Sequence, residues 1–249
     1  MEILYEDQDI LVVQKPAGLA VQTAQVGQQD VVSRLKNYLR TQTDGTTVRT
    51  ASSDRTTHPY LGIIHRLDQP VEGLLVFAKN KRSAAELSKQ LTDKGESGTL
   101  HKDYYAVFCG KTEEKQGKLV DYLYKDSNSR AVIITEAEAS SIPQAKPALL
   151  QYQVLQQAEV QGIVLNLTKI HIETGRFHQI RAQMAHAGMG LLGDRKYGDD
   201  RTLEVSHMLG IKNVALCAYS LEFIHPTSKR PLSFQAKPQG KAFTYFFLK

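Results

Sequence analysis

A chain of 249 residues, 41% of them hydrophobic, is long enough for one large or two small domains with a sizeable core. No apolar run approaches the roughly 18–20 residues of a membrane helix. The opening MEILYEDQDI has acidic residues and no basic n-region, so it does not read as a secretory signal. Two cysteines, Cys109 and Cys217, lie outside any CxxC or Cys/His cluster; they exclude a zinc site and suit a reduced cytosolic protein. The net charge of +5, from 31 basic and 26 acidic residues, permits nucleic-acid binding without establishing it.

In chain order, ILYEDQDILVVQKPAGLAVQ places two apolar patches around an EDQD turn, with Pro16 and Gly18 stopping the second: a β-hairpin. Asp30 is a helix cap, and Val31, Leu35, Tyr38 and Leu39 fall on one helical face. Residues 41–59, rich in Thr, Ser and Asp, read as an exposed loop. LGIIHRL and LLVFA are predicted strands joined by DQPVEG, and the second lacks alternation, which predicts burial on both faces. Asn80 caps a helix holding Ala84, Leu87 and Leu91. HKDYYAVFCG is a strand with Lys102, Tyr104, Ala106 and Phe108 on one face.

Further strands are predicted near 118–124, 131–135 and 149–157, between turn-rich segments. Over 162–173 the alternation of Leu165 and Leu167 slips before Ile170 and Ile172, which suggests a bulge. A helix is predicted at about 175–187, and two strands near 214–224 and 231–236. The pattern is that of a single α+β domain, 1–249, with a mixed, mainly antiparallel β-sheet and flanking helices and loops.

Three segments carry chemistry. Ile64-His65-Arg66-Leu67-Asp68-Gln69-Pro70 ends a strand with three ionisable groups, and Pro70 and Gly73 force a turn just after Asp68. A carboxylate on such a turn is rigidly held and its pKa is tunable; the plainer reading is a turn-capping Asp. In Thr174-Gly175-Arg176-Phe177-His178-Gln179-Ile180-Arg181, Thr174 is the natural N-cap. Phe177, Ile180, Met184 and Ala187 form an apolar stripe that Gly188 ends. Arg181 lies on the flank of the stripe, partly desolvated, and its candidate partner is Asp68; the alternative is an arginine that snorkels to water. Arg176 and the helix start suit a phosphate. His178 is a base, a phosphate contact or a structural hydrogen-bond partner. In Lys102-Asp103-Tyr104-Tyr105-Ala106, a strand tyrosine packs in the core or presents a flat face to a nucleobase.

Together these segments resemble the RluA-like family of RNA pseudouridine synthases. HRLDQPVEGLLVFAK stands against the family's HRLDxxTSGLLLFAK, and TGRFHQIR against TGRxHQIR; GDRKYG follows at 193–198, and KxYxA is matched at 102–106. The opening YEDQDILVVQKPAGL and the late ALCAYSLEFIHPTS are also family-like, so the resemblance spans nearly the whole chain. It implies a sheet with helices and loops around a central cleft, and an isomerase that needs no metal or organic cofactor. By position it implies Asp68 as the catalytic aspartate, Tyr104 as the tyrosine that stacks on the target uracil, Arg181 as the basic partner of the aspartate, and Ile180 as an apolar wall of the base pocket.

The reaction breaks a uridine's N1–C1′ bond, turns the uracil and rejoins it through C5, after the base has left its stack. Spacing puts Arg66 where it fills the vacated space or holds a phosphate. His65, Arg176 and His178 complete the expected substrate contacts, and Arg195 and Lys196 add to those with the backbone. The expected partner is ribosomal or transfer RNA, and the expected protein is a cytoplasmic monomer with no membrane or obligatory protein partner. Many relatives carry an N-terminal S4 module; with the catalytic segment opening the sequence, the expectation is a catalytic domain without that module.

The chain departs from the family at Val71-Glu72, where Thr-Ser is usual. A Glu72 facing the cleft would repel phosphate and raise the Asp68 pKa; one facing solvent would matter little. The departure keeps open a non-catalytic RNA-binding protein or RNA chaperone on the same fold. A third reading, an Asp/His hydrolase using Asp68 with His65 or His178, lacks a nucleophile elbow, a metal cluster and a second carboxylate.

Overall fold

The first hairpin forms as its pattern predicts: β1 (Glu2–Glu6) pairs antiparallel with β2 (Ile10–Lys15). The Asp7 carboxylate closes the turn by accepting from the Asp9 and Ile10 amides at 2.7 and 2.8 Å. This computed structural model describes residues 1–25, 27–43, 59–92 and 99–247. The chain divides into two compact units, Met1–His101 with Ser220–Ala236, and Lys102–Tyr219 with Lys237–Lys249.

In the first unit β2 pairs with β4 (Glu72–Ala78), which is buried along its whole length, as the unbroken run LLVFA requires. Of the predicted strand LGIIHRL, only β3 (Gly62–Ile63) joins the ladder, against Ala78 and Phe77. From Ile64 onward the chain leaves β4 and becomes the loop that carries Asp68. Helix α1 (Val31–Thr43) starts at Asp30, whose carboxylate accepts from the Ser33 amide at 2.7 Å, and it buries Val31, Leu35 and Leu39. The predicted loop 41–59 is taken up to Thr43 by this helix, and 44–58 lie outside the described residues. Asn80 caps α2 (Lys81–Thr92) through the Ser83 amide; Leu87 is buried, whereas Leu91 is exposed. Strand β10 (Leu216–Ile224) pairs with β11 (Pro231–Gln235) over Ser220–Ile224. One apolar cluster joins these elements: Ile10, Val12, Leu74, Val76, Leu87, Leu221 and Phe223. At about 25 cal/mol per Å² of apolar surface removed from water, such packing is what holds the unit together.

The second unit is a run of antiparallel strands in the order β5 (His101–Cys109), β9 (Ile163–Ile172), β8 (Lys146–Val160), β6 (Gln116–Lys125), β7 (Ala131–Ile134). Tyr104, Ala106 and Phe108 lie on one buried face of β5, as alternation predicts. The phase slip seen over 162–173 has a different origin from the bulge expected there. Strand β9 pairs evenly with β5, and the irregularity lies on β8, where Leu155 is the extra residue between Val154 and Gln156. The alternation of β9 fails because Leu165, Asn166, Leu167 and Thr168 are all buried. Asn166 is accommodated by donating to the Gly110 carbonyl at 2.7 Å and accepting from Gln157 at 2.8 Å.

Helix α4 spans Gln179–His186 rather than 175–187, and its N-cap is His178, in the left-handed region at φ 51°, not Thr174. Gln179 substitutes for a cap: its Oε1 accepts from the Arg176 amide and the Thr174 hydroxyl, and its Nε2 donates to the Leu149 carbonyl. Phe177 therefore sits outside the helix and is exposed, not on the stripe. The far end is as predicted: Gly188, at φ 73°, lets the Met189 amide reach Met184 and the Gly188 amide reach Ala185. Between the GDRKYG loop and β10 lies α5 (Asp200–Met208), capped by Asp199, a helix that sequence pattern does not announce; a one-turn helix, α3 (Glu136–Ala139), and α6 (Thr244–Phe247) are likewise additions. The fold is thus α+β, a mixed, mainly antiparallel sheet with a few helices. Among the described residues no helix is long and apolar enough to cross a membrane.

Candidate active site

In the first unit, the site residues of the HRLD segment sit on a loop that is fastened through its backbone. Leu67 is buried, Asp68 half-buried and Arg66 exposed. The Asp68 carbonyl accepts from the Val71 amide at 3.0 Å, closing the turn that contains Pro70. The next carbonyl, of Gln69, accepts from the Gly18 amide at 2.8 Å, and the Gln69 side chain donates back to the Gly18 carbonyl at 3.1 Å. The KPAGL loop thus clamps the residue after Asp68. His65 is buried beneath, and its Nε2 accepts from the Val76 amide of β4 at 3.4 Å. Arg66 borders an open pocket lined with amides, Gln22, Gln25, Gln28 and Gln69 among them.

The residue that organises this loop is one that sequence pattern does not single out. Lys15, the last residue of β2, is 0% exposed, and its Nζ donates to three carbonyls: Pro16 at 3.1 Å, Leu19 at 2.8 Å and Gln69 at 3.1 Å. An ammonium has three N–H donors, and all three are used. Burial pulls its pKa down to about 8, against the opposing fields of Asp68 and then Glu72. Glu72 itself is 3% exposed, so the departure from the family pattern faces neither solvent nor bulk phosphate; its charge lies in the interior, where it favours the Lys15 ammonium. The signal available in sequence is that ILVVQK carries its lysine at the end of a strand with no alternation, and all six residues are buried.

The depressed pKa has a measurable consequence. Between about 8 and the ordinary value of 10.5 the unfolded chain holds a proton on Lys15 that the folded chain has released. Stability contributed by this group is greatest above that window and is lost as pH falls to about 8. Comparing wild type with Lys15→Met by urea unfolding at pH 7 and pH 9.5, we expect the difference to shift toward wild type by about 2 kcal/mol at the higher pH. An equal difference at both values would show that Lys15 titrates normally.

In the second unit, Tyr104 is buried on β5 opposite Ile170, and burial lowers the pKa of its neighbour Lys102 on the same face. Ile180 and Arg181 are buried in the first turn of α4. Arg181 is gripped in two places by Asp194, Nε to Oδ2 at 2.7 Å and Nη2 to Oδ1 at 2.8 Å, with both side chains almost fully buried. Asp194 also accepts from the Lys196 and Tyr197 amides at 3.0 and 3.2 Å, so the GDRKYG loop is wound around this carboxylate. The Tyr197 ring lies 5.1 Å from the Arg181 guanidinium. The Tyr197 hydroxyl accepts from the Ala131 amide and bonds His178 Nδ1 at 2.9 Å, which gives His178 a structural partner. Arg176 is half-exposed, and its Nε donates to the Pro147 carbonyl at 2.9 Å. In sequence, Asp194 and Tyr197 stand out only as members of the family-like GDRKYG string; nothing local marks Asp194 as the buried partner of an arginine 13 residues earlier.

One other cluster has metal-ligand chemistry among the described residues: Asp7, Asp9 and His225. Its atoms are engaged in closing turns. His225 Nε2 meets Asp7 Oδ2 at 2.8 Å, His225 Nδ1 accepts from the Ser228 amide at 3.0 Å, and Asp9 Oδ1 accepts from Asn80 and Ser83, both at 2.8 Å.

Set beside known proteins, residues 9–186 match the family model described as RNA pseudouridylate synthase. The chain belongs to this family, whose members are isomerases acting on RNA. It is 30% identical, over 99% of its length and 72% of the relative's, to the uncharacterized RNA pseudouridine synthase YhcT of Bacillus subtilis. It is also 30% identical to ribosomal large subunit pseudouridine synthase C of Pasteurella multocida, over 94% of this chain and 64% of that protein. Among solved structures, human RNA pseudouridylate synthase domain containing 1 superposes with a TM-score of 0.72 at 20% identity, covering 95% of this chain and 83% of that one, a likeness of fold. The family match favours a synthase over a binding-only protein.

Proposed function

We propose that the protein converts specific uridines of ribosomal RNA to pseudouridine, the two units serving one catalytic domain, with Asp68 as the catalytic carboxylate. The observation that carries this reading is the clamp on the Asp68 loop: a buried lysine gathers the Pro16 and Leu19 carbonyls of the KPAGL loop and the Gln69 carbonyl next to Asp68, tying the two loops together although an ammonium must be desolvated to do so. Ribosomal rather than transfer RNA is favoured because relatives 29–31% identical are named for the large ribosomal subunit.

In this reading the flipped uracil stacks on Tyr104 against the apolar wall of Ile180. Arg66, exposed beside Asp68, fills the space the base leaves. Arg181, held in place by Asp194, supplies the positive charge of the site. His65 supports the base side of the loop, and Arg176 and His178 meet the backbone. The glycosidic bond from N1 is broken and a carbon–carbon bond from C5 is made, with one proton leaving C5 and one arriving at N1; atoms and electrons balance without an external donor. The protein works in the cytoplasm as a monomer.

The test maps pseudouridines in ribosomal RNA from cells with and without the gene. Particular uridines should lose modification in its absence and regain it with wild type but not with Asp68→Ala. Restoration by Asp68→Ala would remove the assignment of the carboxylate, and an unchanged map would remove the activity.

A further inference from the structure

Phe177 is 39% exposed, yet it is not a loose surface side chain. Its ring stacks on His178 at 3.8 Å between centroids and 20° between planes. His178 is in turn fixed by its hydrogen bond and edge contact to Tyr197, and its left-handed backbone turns the pair outward from α4. Lys125, the last residue of β6, holds its Nζ 4.8 Å from the centre of the Phe177 ring. The β6–β7 turn brings Arg130 over Tyr197 and onto the Lys196 carbonyl, while Lys196 reaches back to the Ser129 carbonyl. Among the described residues, none of Lys125, Arg130, Arg176 and Lys196 has a carboxylate within ion-pair distance. The one acid of the turn, Asp126, accepts from the Arg130 amide at 2.7 Å. An aromatic face with an unneutralised cation upon it and further cations on the adjoining loop matches a nucleobase with its phosphates.

We propose that Phe177, backed by His178 and faced by Lys125, with Arg130 over the next ring, Tyr197, and Arg176 and Lys196 adjoining in sequence, is a stacking platform for an unpaired RNA base other than the target uridine. The platform rests on the reading of this protein as acting on RNA, and it gives that reading a determinant of RNA choice. The incoming base displaces the Lys125 ammonium from the ring, and the freed lysine turns to the adjacent phosphate. Position 177 is the open position of the TGRxHQIR pattern, and this chain fills it with Phe.

The measurement is fluorescence anisotropy of a labelled, unstructured single-stranded RNA against the full-length protein over a salt series. Phe177→Ala should weaken binding about tenfold with an unchanged salt slope, and Phe177→Tyr should bind as wild type. The Lys125→Ala/Arg130→Ala pair should flatten the slope by about 0.7 for each phosphate that the protein no longer neutralises. Phe177→Ala binding like wild type overturns the platform. So does Phe177→Leu binding as well as Phe177→Tyr, a comparison that holds even if the alanine protein folds poorly. Because binding is read without turnover, a protein that shows the platform but makes no pseudouridine refutes the synthase reading alone. One that makes pseudouridine while Phe177→Ala binds normally refutes the platform alone.

Discussion

Asp68→Asn is expected to lower kcat by about 10³-fold or more while RNA affinity stays within about twofold of wild type. The substitution keeps the size and planarity of the side chain and removes the negative charge. The loop survives it, because the fastenings described above do not use the Asp68 side chain: they run from the Val71 amide to the Asp68 carbonyl, and from the Gly18 amide and the Lys15 ammonium to the Gln69 carbonyl. What is lost is the group that acts as base or nucleophile. The small effect on affinity follows in sign from electrostatics, since RNA is a polyanion and removing a carboxylate cannot weaken its attraction to the protein. Single-turnover kinetics and a binding isotherm on the same RNA separate the two effects. A parallel fall in both, with an unchanged melting temperature, would make Asp68 a binding residue and sink its catalytic role.

How much of the molecule is readable from the chain differs by kind of signal. Elements set by local chemistry are legible: the Asp30 and Asn80 caps, the hairpin around EDQD, the doubly buried LLVFA run, and Gly188 at the end of α4. Where a residue's role depends on a partner distant in sequence, local pattern misleads. Thr174 has the chemistry of a cap, but its hydroxyl donates to Gln179, whose side chain meets the Leu149 carbonyl, and that competition delays the helix to Gln179. The slip on β9 marks burial on both faces, and the extra residue sits on β8, which no reading of β9 alone reveals. Buried charges are the least legible. Lys15, Glu72 and Asp194 read as surface groups by type, and only tertiary contacts show them inside. The family resemblance supplies Asp68, Tyr104 and Arg181 as site residues, which spacing alone leaves between catalytic and structural readings.

Asp194→Ala is expected to destabilise the protein by about 3–5 kcal/mol, because it removes the carboxylate that grips the buried Arg181 guanidinium at two atoms. The cavity and the Lys196 and Tyr197 amides left without their acceptor add to the loss. For a chain of this size that corresponds to a fall in Tm of roughly 10 °C, read by thermal circular dichroism; a shift of only about a degree would show that the pair is energetically idle. The double variant Asp194→Leu/Arg181→Met separates structure from chemistry. Replacing both charges with apolar groups takes the buried guanidinium away together with its carboxylate, and such replacements of buried pairs are often neutral or stabilising. Tm should therefore recover most of the loss. Turnover should not recover, because the guanidinium that the proposed function assigns to the catalytic machinery has gone. If the double variant regains activity together with stability, Arg181 is a structural residue of the α4–GDRKYG junction and has no part in catalysis.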